Sequence, residues 1–123
     1  MPNQFDPQTL NQLANTKEIE IETYSAAGQT HRTIIWVVVD DGNVYIRSWL
    51  GRNGRWYREI TANPDAAIHI NGRRLAVHAV PVTSESLIIR VSNNILQKYH
   101  RSPSANGMVR EEILPTTLCL EPA

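Results

Sequence analysis

The sequence predicts a mainly β domain: a small antiparallel barrel of about six strands, with short helices plugging its openings. Three observations predict it. Several short runs are rich in Val and Ile or alternate apolar with polar residues. Asp40-Asp41-Gly42-Asn43 and Asn71-Gly72, which separate such runs, are tight-turn sequences. Ser84 to Tyr99 alone carries a long helical stripe. An open antiparallel sheet covered by helices is the alternative arrangement.

The elements follow in order. Phe5 to Leu13 reads as a first helix, with Asp6 as its cap and Pro7 at its first position. Ile19, Ile21 and Thr23 alternate with Glu18, Glu20 and Glu22, the pattern of a half-buried strand with a charged face. Those glutamates are expected to be solvated, or to protect an exposed edge. Arg32 to Val39 reads as one strand buried on both faces. It turns at Asp40–Asn43 and returns as Val44 to Trp49. Arg55 to Asn63 is a short helix ended by Pro64. Ala66 to Ile70 and Arg73 to Val82 form a hairpin on Asn71-Gly72, a type I′ turn. That register puts Ile68, Ile70, Leu75 and Val77 in an apolar environment. His69, Arg74, Ala76 and His78 take the other face, with the two histidines roughly 13 Å apart and unable to share a metal. Ser84 caps the long helix, and Thr116 to Leu120 is the last strand.

With 123 residues and no repeat or linker, the chain is expected to be one domain spanning 1–123. Its 41% hydrophobic and 20% charged content excludes a disordered chain. Twelve Lys and Arg balance twelve Asp and Glu, which argues against nucleic-acid binding and against a basic membrane-surface role. The longest apolar run, Ile34 to Val39, is far short of the ~20 residues that span a bilayer. The N-terminal stretch lacks the basic and apolar regions of a leader, and Cys119 is the single cysteine. A cytoplasmic protein is the expectation.

Chemistry concentrates in Tyr45 to Arg58. This stretch holds Arg47, Arg52, Arg55 and Arg58, no acidic residue, and both Trp49 and Trp56. Guanidinium forks match phosphate. Ser48 adds a hydroxyl, and Gly51 and Gly54 let backbone amides approach an anion. The helix opening after Gly54 favours a phosphate at its N-terminus. Trp49, Trp56 and Tyr57 offer flat surface for a ring. Together they suggest a phosphorylated aromatic ligand such as a flavin or nucleotide. The plain alternative is that the aromatics are core and the arginines a solvated rim. A hairpin of Arg32–Val39 on Val44 onward would bring Arg32 and Thr33 to the same end as Arg47 and Ser48. No nucleophile elbow, zinc motif, P-loop or dinucleotide fingerprint is present, so a cofactor is expected to carry any chemistry.

Arg32 to Val82 resembles the split β-barrel superfamily of pyridoxamine-phosphate-oxidase-like and deazaflavin-dependent nitroreductase-like proteins. The echoes are Asp41-Gly42-Asn43-Val44-Tyr45-Ile46-Arg47-Ser48, Gly51, Trp56-Tyr57-Arg58, Ala62-Asn63-Pro64-Asp65 and Asn71-Gly72. Over nearly its full length the chain is similar to an uncharacterised bacterial family within or near that group. There Ile35-Trp36-Val37-Val38-Val39 and Lys98-Tyr99 recur. The resemblance implies a six-stranded split barrel of FMN-binding type, and a homodimer with the cofactor in a groove between subunits. It places the cofactor phosphate near Arg47, Ser48 and the Gly51–Arg55 loop, which includes Arg52. It places the ring near Arg32-Thr33, with Trp56 and Tyr57 lining or supporting the site. FMN or a deazaflavin is the implied cofactor, with oxidoreductase chemistry. A cofactor-free module for a small anionic or phosphorylated ligand remains open beside it.

Overall fold

Seven strands join one antiparallel sheet that curls into a half-barrel. The structure, a computed structural model, describes residues 4–123; Met1–Asn3, part of the stretch read as lacking leader character, lie outside them. The chain runs α1 (Pro7–Asn15), β1 (Ile19–Tyr24), β2 (Thr30–Ile35), β3 (Val38–Asp40) and β4 (Asn43–Ile46). It continues with α2 (Arg55–Ala62), β5 (Asp65–Ile70), β6 (Arg73–Pro81), α3 (Glu85–Lys98) and β7 (Leu118–Pro122). Short 3₁₀ turns at Gly51–Asn53, Asn106–Val109 and Glu111–Thr116 fill the connections. No described helix is long and apolar enough to cross a membrane.

The local signals act as their chemistry dictates. Asp6 accepts the Thr9 amide at 2.8 Å and caps α1, with Pro7 in its first turn. Ser84 accepts the Leu87 amide and caps α3. Asn71 and Gly72 both have positive φ, 50° and 75°, as a type I′ turn requires, and so do Asp41 and Gly42, at 51° and 79°. The β5–β6 register pairs Ile70 with Arg73, Ile68 with Leu75 and His69 with Arg74. His69 and His78 bind different carboxylates, Glu22 at 2.7 Å and Asp65 at 2.9 Å.

The strand order is β2-β1-β5-β6-β7-β4-β3. Its two edge strands are neighbours in sequence, with only Trp36 and Val37 between them. Laid flat, six strand spacings would put those edges roughly 29 Å apart. Three Cα steps from Ile35 to Val38 span at most about 11 Å. The sheet must therefore curl until its edges nearly meet, and Trp36–Val37 is the seam.

That seam corrects the expectation of six strands. The single strand expected at Arg32 to Val39 is two strands with different partners. β2 pairs with β1, matching Arg32 with Glu22, while β3 pairs with β4. The two residues between have no ladder partners. The polar groups of Val37 are held from the end of α3: its amide donates to the Tyr99 hydroxyl at 3.2 Å, and Lys98 Nζ donates to its carbonyl at 2.6 Å. Lys98 Nζ also donates to the Leu13 carbonyl at 3.0 Å, tying the end of α1 to the same point.

Two apolar clusters result. Ile21, Ile46, Ile60, Ile68, Val77 and Leu120 lie among the residues filling the curled sheet. Tyr45, Val91, Ile95, Tyr99, Met108 and Ile113 lie among those packing beneath α3. A second correction concerns the glutamates. β1 is an internal strand, between β2 and β5. Glu22 is buried, 7% exposed, and binds Arg74 at 2.8 Å, Tyr24 at 2.5 Å and His69 at 2.7 Å. These bonds, that from Arg74 foremost, hold its carboxyl down at about 2.

Candidate functional site

A cavity of about 460 Å³ opens where the seam, the end of β4, the start of α2 and the segment after α3 converge. That size suits a small ligand. Its walls are mostly apolar, from Ile34, Ile35, Trp36, Trp49, Leu50, Trp56 and Met108. Two guanidinium groups, Arg47 and Arg55, and one carboxylate, Glu18, also line it.

The loop after β4 is shaped by close backbone packing. The Ser48 amide donates to Thr116 Oγ1 at 3.1 Å, and its hydroxyl donates to the Gly51 carbonyl at 2.7 Å. Gly51 takes φ of +66°. A Cβ on Gly54 would sit 2.7 Å from Ser48 Oγ, so a side chain there would force the Ser48 hydroxyl off its bond to the Gly51 carbonyl. α2 begins immediately afterwards with no side-chain cap. Its first amides are therefore free of an internal side-chain acceptor at the cavity wall.

Arg47 is 2% exposed. Nε donates to Thr117 Oγ1 at 2.8 Å, Nη1 to Ser92 Oγ at 2.8 Å and to the Met108 carbonyl at 3.1 Å, and Nη2 to the Ile88 carbonyl at 2.8 Å. All four acceptors are neutral. No carboxylate lies within salt-bridge distance of Arg47 among the described residues. Burial pulls its pKa down to about 10, so it stays a cation at neutral pH. A buried charge without a counter-ion beside a cavity attracts an anion strongly, because the local dielectric is low.

Arg55 is half exposed and donates to Thr33 Oγ1 at 3.2 Å, across the cavity edge. Behind it, Glu59 receives His31 at 2.9 Å and the Thr23 hydroxyl at 2.8 Å. Burial pushes the Glu59 carboxyl up, but the bonds from Thr23 and His31 together with the nearby charges of His31 and Arg55 outweigh it and leave the group below its ordinary value.

Trp36 lies flat on Tyr99, with ring centroids 3.8 Å apart and planes 5° from parallel. Trp49 stands at the mouth. The Arg110 guanidinium lies 4.7 Å from its ring centroid and donates to the Trp49 carbonyl. Ile34, Leu50 and Trp49 are 63%, 67% and 46% exposed and form an apolar rim.

Of the residues predicted from sequence, Thr33, Arg47, Ser48, Trp49, Arg55 and Trp56 line this cavity. Four others do not. Arg32 binds Glu20 at 2.9 Å on the sheet, because β2 pairs with β1 rather than β4. Arg52 is exposed on its 3₁₀ turn. Gly51 is buried and shapes the loop. Tyr57 packs against the core, edge-on to Trp56. Residue-by-residue reasoning missed Glu18, Ile34, Ile35, Trp36, Leu50, Ser104 and Met108. The recurrence of the Trp36 and Lys98-Tyr99 segments in the resemblance was the available signal for the stacked pair. The described residues hold no cluster of metal ligands.

The geometry has known counterparts. The haem storage protein HutZ from Vibrio cholerae superposes with a TM-score of 0.66 at 15% identity, covering 98% of this chain and 91% of its own. An F420-H2 dependent reductase, FDR-A, gives 0.64 at 15% identity, over 85% and 94%. A protein from Listeria innocua, provisionally assigned as a pyridoxamine 5'-phosphate oxidase, gives 0.65 at 15% identity, over 94% and 90%. These likenesses establish the fold alone, an antiparallel half-barrel shared with those proteins. No curated protein matches the sequence itself. Residues 9–120 match a family described as an uncharacterised protein conserved in bacteria, DUF2255, and the chain belongs to that family.

Proposed function

We propose that the cavity binds a planar, phosphate-bearing cofactor of the flavin or deazaflavin class, and that the protein is an oxidoreductase of that kind. One observation carries this: an aromatic, mostly apolar cavity is bordered by two cations, one of them buried without a counter-ion. The donor set divides the work. Four of the N–H groups of Arg47 are already engaged by the protein, so its contribution is the field of its charge. Arg55 and the uncapped first turn of α2 supply donors for the phosphate. The apolar walls exclude water from the ring. A bound flavin or deazaflavin would supply hydride transfer, and the chain's part is to bind, orient and shield it. Haem fits less well, since the lining contains neither His nor Cys and Met108 is its one sulfur donor.

The apolar rim of Ile34, Trp49 and Leu50 supports a homodimer in which a second copy covers the mouth. The lone cysteine fits a cytoplasmic location.

The deciding experiment is an absorption spectrum after incubation with FMN and with the deazaflavin cofactor, free ligand removed. A retained yellow cofactor is expected. Arg55→Ala should then weaken FMN while leaving riboflavin, which lacks the phosphate, nearly unchanged. The bulk of Trp49 and Leu50 at the mouth favours a second reading, a cofactor-free module for a small anion. A protein that stays colourless with both cofactors would select it.

A further inference from the structure

We propose that Trp36 is the stacking platform of this cavity, on which the heteroaromatic ring of the ligand lies, on the face turned away from Tyr99. The proposal rests on the cofactor assignment above and adds the residue that would hold the ring.

Four observations carry it. Trp36 lines the cavity, whereas Tyr99 lines a separate groove with Lys17, Lys98 and Arg101. The stacked pair is therefore a wall between two openings, with Tyr99 occupying one face of the indole. A ring entering the cavity would extend an existing column by one layer.

The wall is fixed in place. The Tyr99 hydroxyl donates to the Lys17 carbonyl at 2.6 Å and accepts the Val37 amide at 3.2 Å. Burial raises its pKa to about 12, so the proton is retained. Lys98 Nζ lies 5.3 Å from the Tyr99 ring centroid while bonding the Val37 carbonyl. These contacts grip the backbone beside Trp36 on one side and its stacking partner on the other. A ligand meeting a preorganised ring loses little side-chain entropy.

The other two tryptophans in the lining are committed elsewhere. Trp56 is 7% exposed, belongs to the core cluster and meets Tyr57 edge-on. Trp49 has Arg110 against its ring and its edge against Gly107.

Finally, the seam leaves Trp36 and Val37 outside both ladders, and the indole, partly buried against the cluster beneath α3, borders the cavity. An aromatic ring bordering a cavity can stack on any flat heteroaromatic ring, and Arg55 adds preference for one carrying a phosphate.

The test compares wild type, Trp36→Phe, Trp36→Leu and Arg55→Ala with riboflavin and with FMN. It reads both affinity and the emission of the bound flavin, which a contacting indole quenches. Trp36→Leu should weaken riboflavin and FMN by the same factor, roughly tenfold or more. Trp36→Phe keeps a flat ring, so affinity should stay within a few-fold while the emission of bound flavin rises. Arg55→Ala should weaken FMN alone. Flavin emission in Trp36→Phe as quenched as in wild type would overturn the proposal, and this variant serves even where Trp36→Leu does not fold. Undiminished affinity in a folded Trp36→Leu would overturn it too. Both results leave the cofactor assignment standing. A wild type that binds neither flavin overturns that assignment and this proposal together.

Discussion

Arg47 Nε donates to Thr117 Oγ1 at 2.8 Å, joining residues seventy positions apart in the chain. The same guanidinium reaches α3 through Ile88 and Ser92, and the following 3₁₀ turn through Met108. It thus ties the end of β4 to α3, to the 3₁₀ turn after it and to Thr117 just ahead of β7. Lysine places its donors on one atom and cannot span those acceptors. Arg47→Lys should lower stability by about 2–4 kcal/mol in urea unfolding. Unchanged stability would mean the four bonds do not act as a strut.

Gly107 and Trp49 are in contact so close that a Cβ on Gly107 would lie 2.6 Å from Cζ3 of the indole. Gly107→Ala should push Trp49 off its place beside Arg110. Because the ring is already partly exposed, stability should change by less than about 1 kcal/mol. Tryptophan emission should shift, and ligand affinity should fall with the altered mouth. An unchanged spectrum would show that the backbone yields instead of the ring.

Glu22 links β1 to β5 and β6 through His69 and Arg74. Its folded pKa, about 2, lies below its ordinary 4.5. A depressed carboxylate pKa stabilises the fold above the unfolded value, and that contribution disappears as pH falls from about 4.5 toward 2. Wild type should therefore exceed Glu22→Gln by about 1–3 kcal/mol at neutral pH, and the gap should close over that acidic range. A gap independent of pH would assign the stabilisation to packing.

Ile34 and Leu50 stand exposed at the cavity rim. If a second copy covers them, the paired change Ile34→Glu and Leu50→Glu should convert a dimer into monomers in light scattering, with circular dichroism unchanged. A wild type that is monomeric at micromolar concentration would remove the dimer from the proposed function.

The sequence by itself determined the pieces whose causes are local. Asn71-Gly72 and Asp41-Gly42 adopt positive φ, and Asp6 and Ser84 cap their helices, because each effect acts within about four residues. The stretch from Arg47 to Trp56 was legible as a candidate site because charge and aromatics concentrate there, and several of its residues line the cavity. The tertiary structure alone decided where Ile34 to Val39 breaks. Six consecutive apolar residues carry no period, and the break depends on Tyr99 and Lys98, about sixty residues away. It also decided that Arg47 lies buried rather than at a rim, that Glu22 is paired rather than solvated, and that Trp36 faces a cavity. Those outcomes follow from the curl of the sheet. Curl is a property of all seven strands together, set by edges that two intervening residues hold close, and no window of sequence contains it.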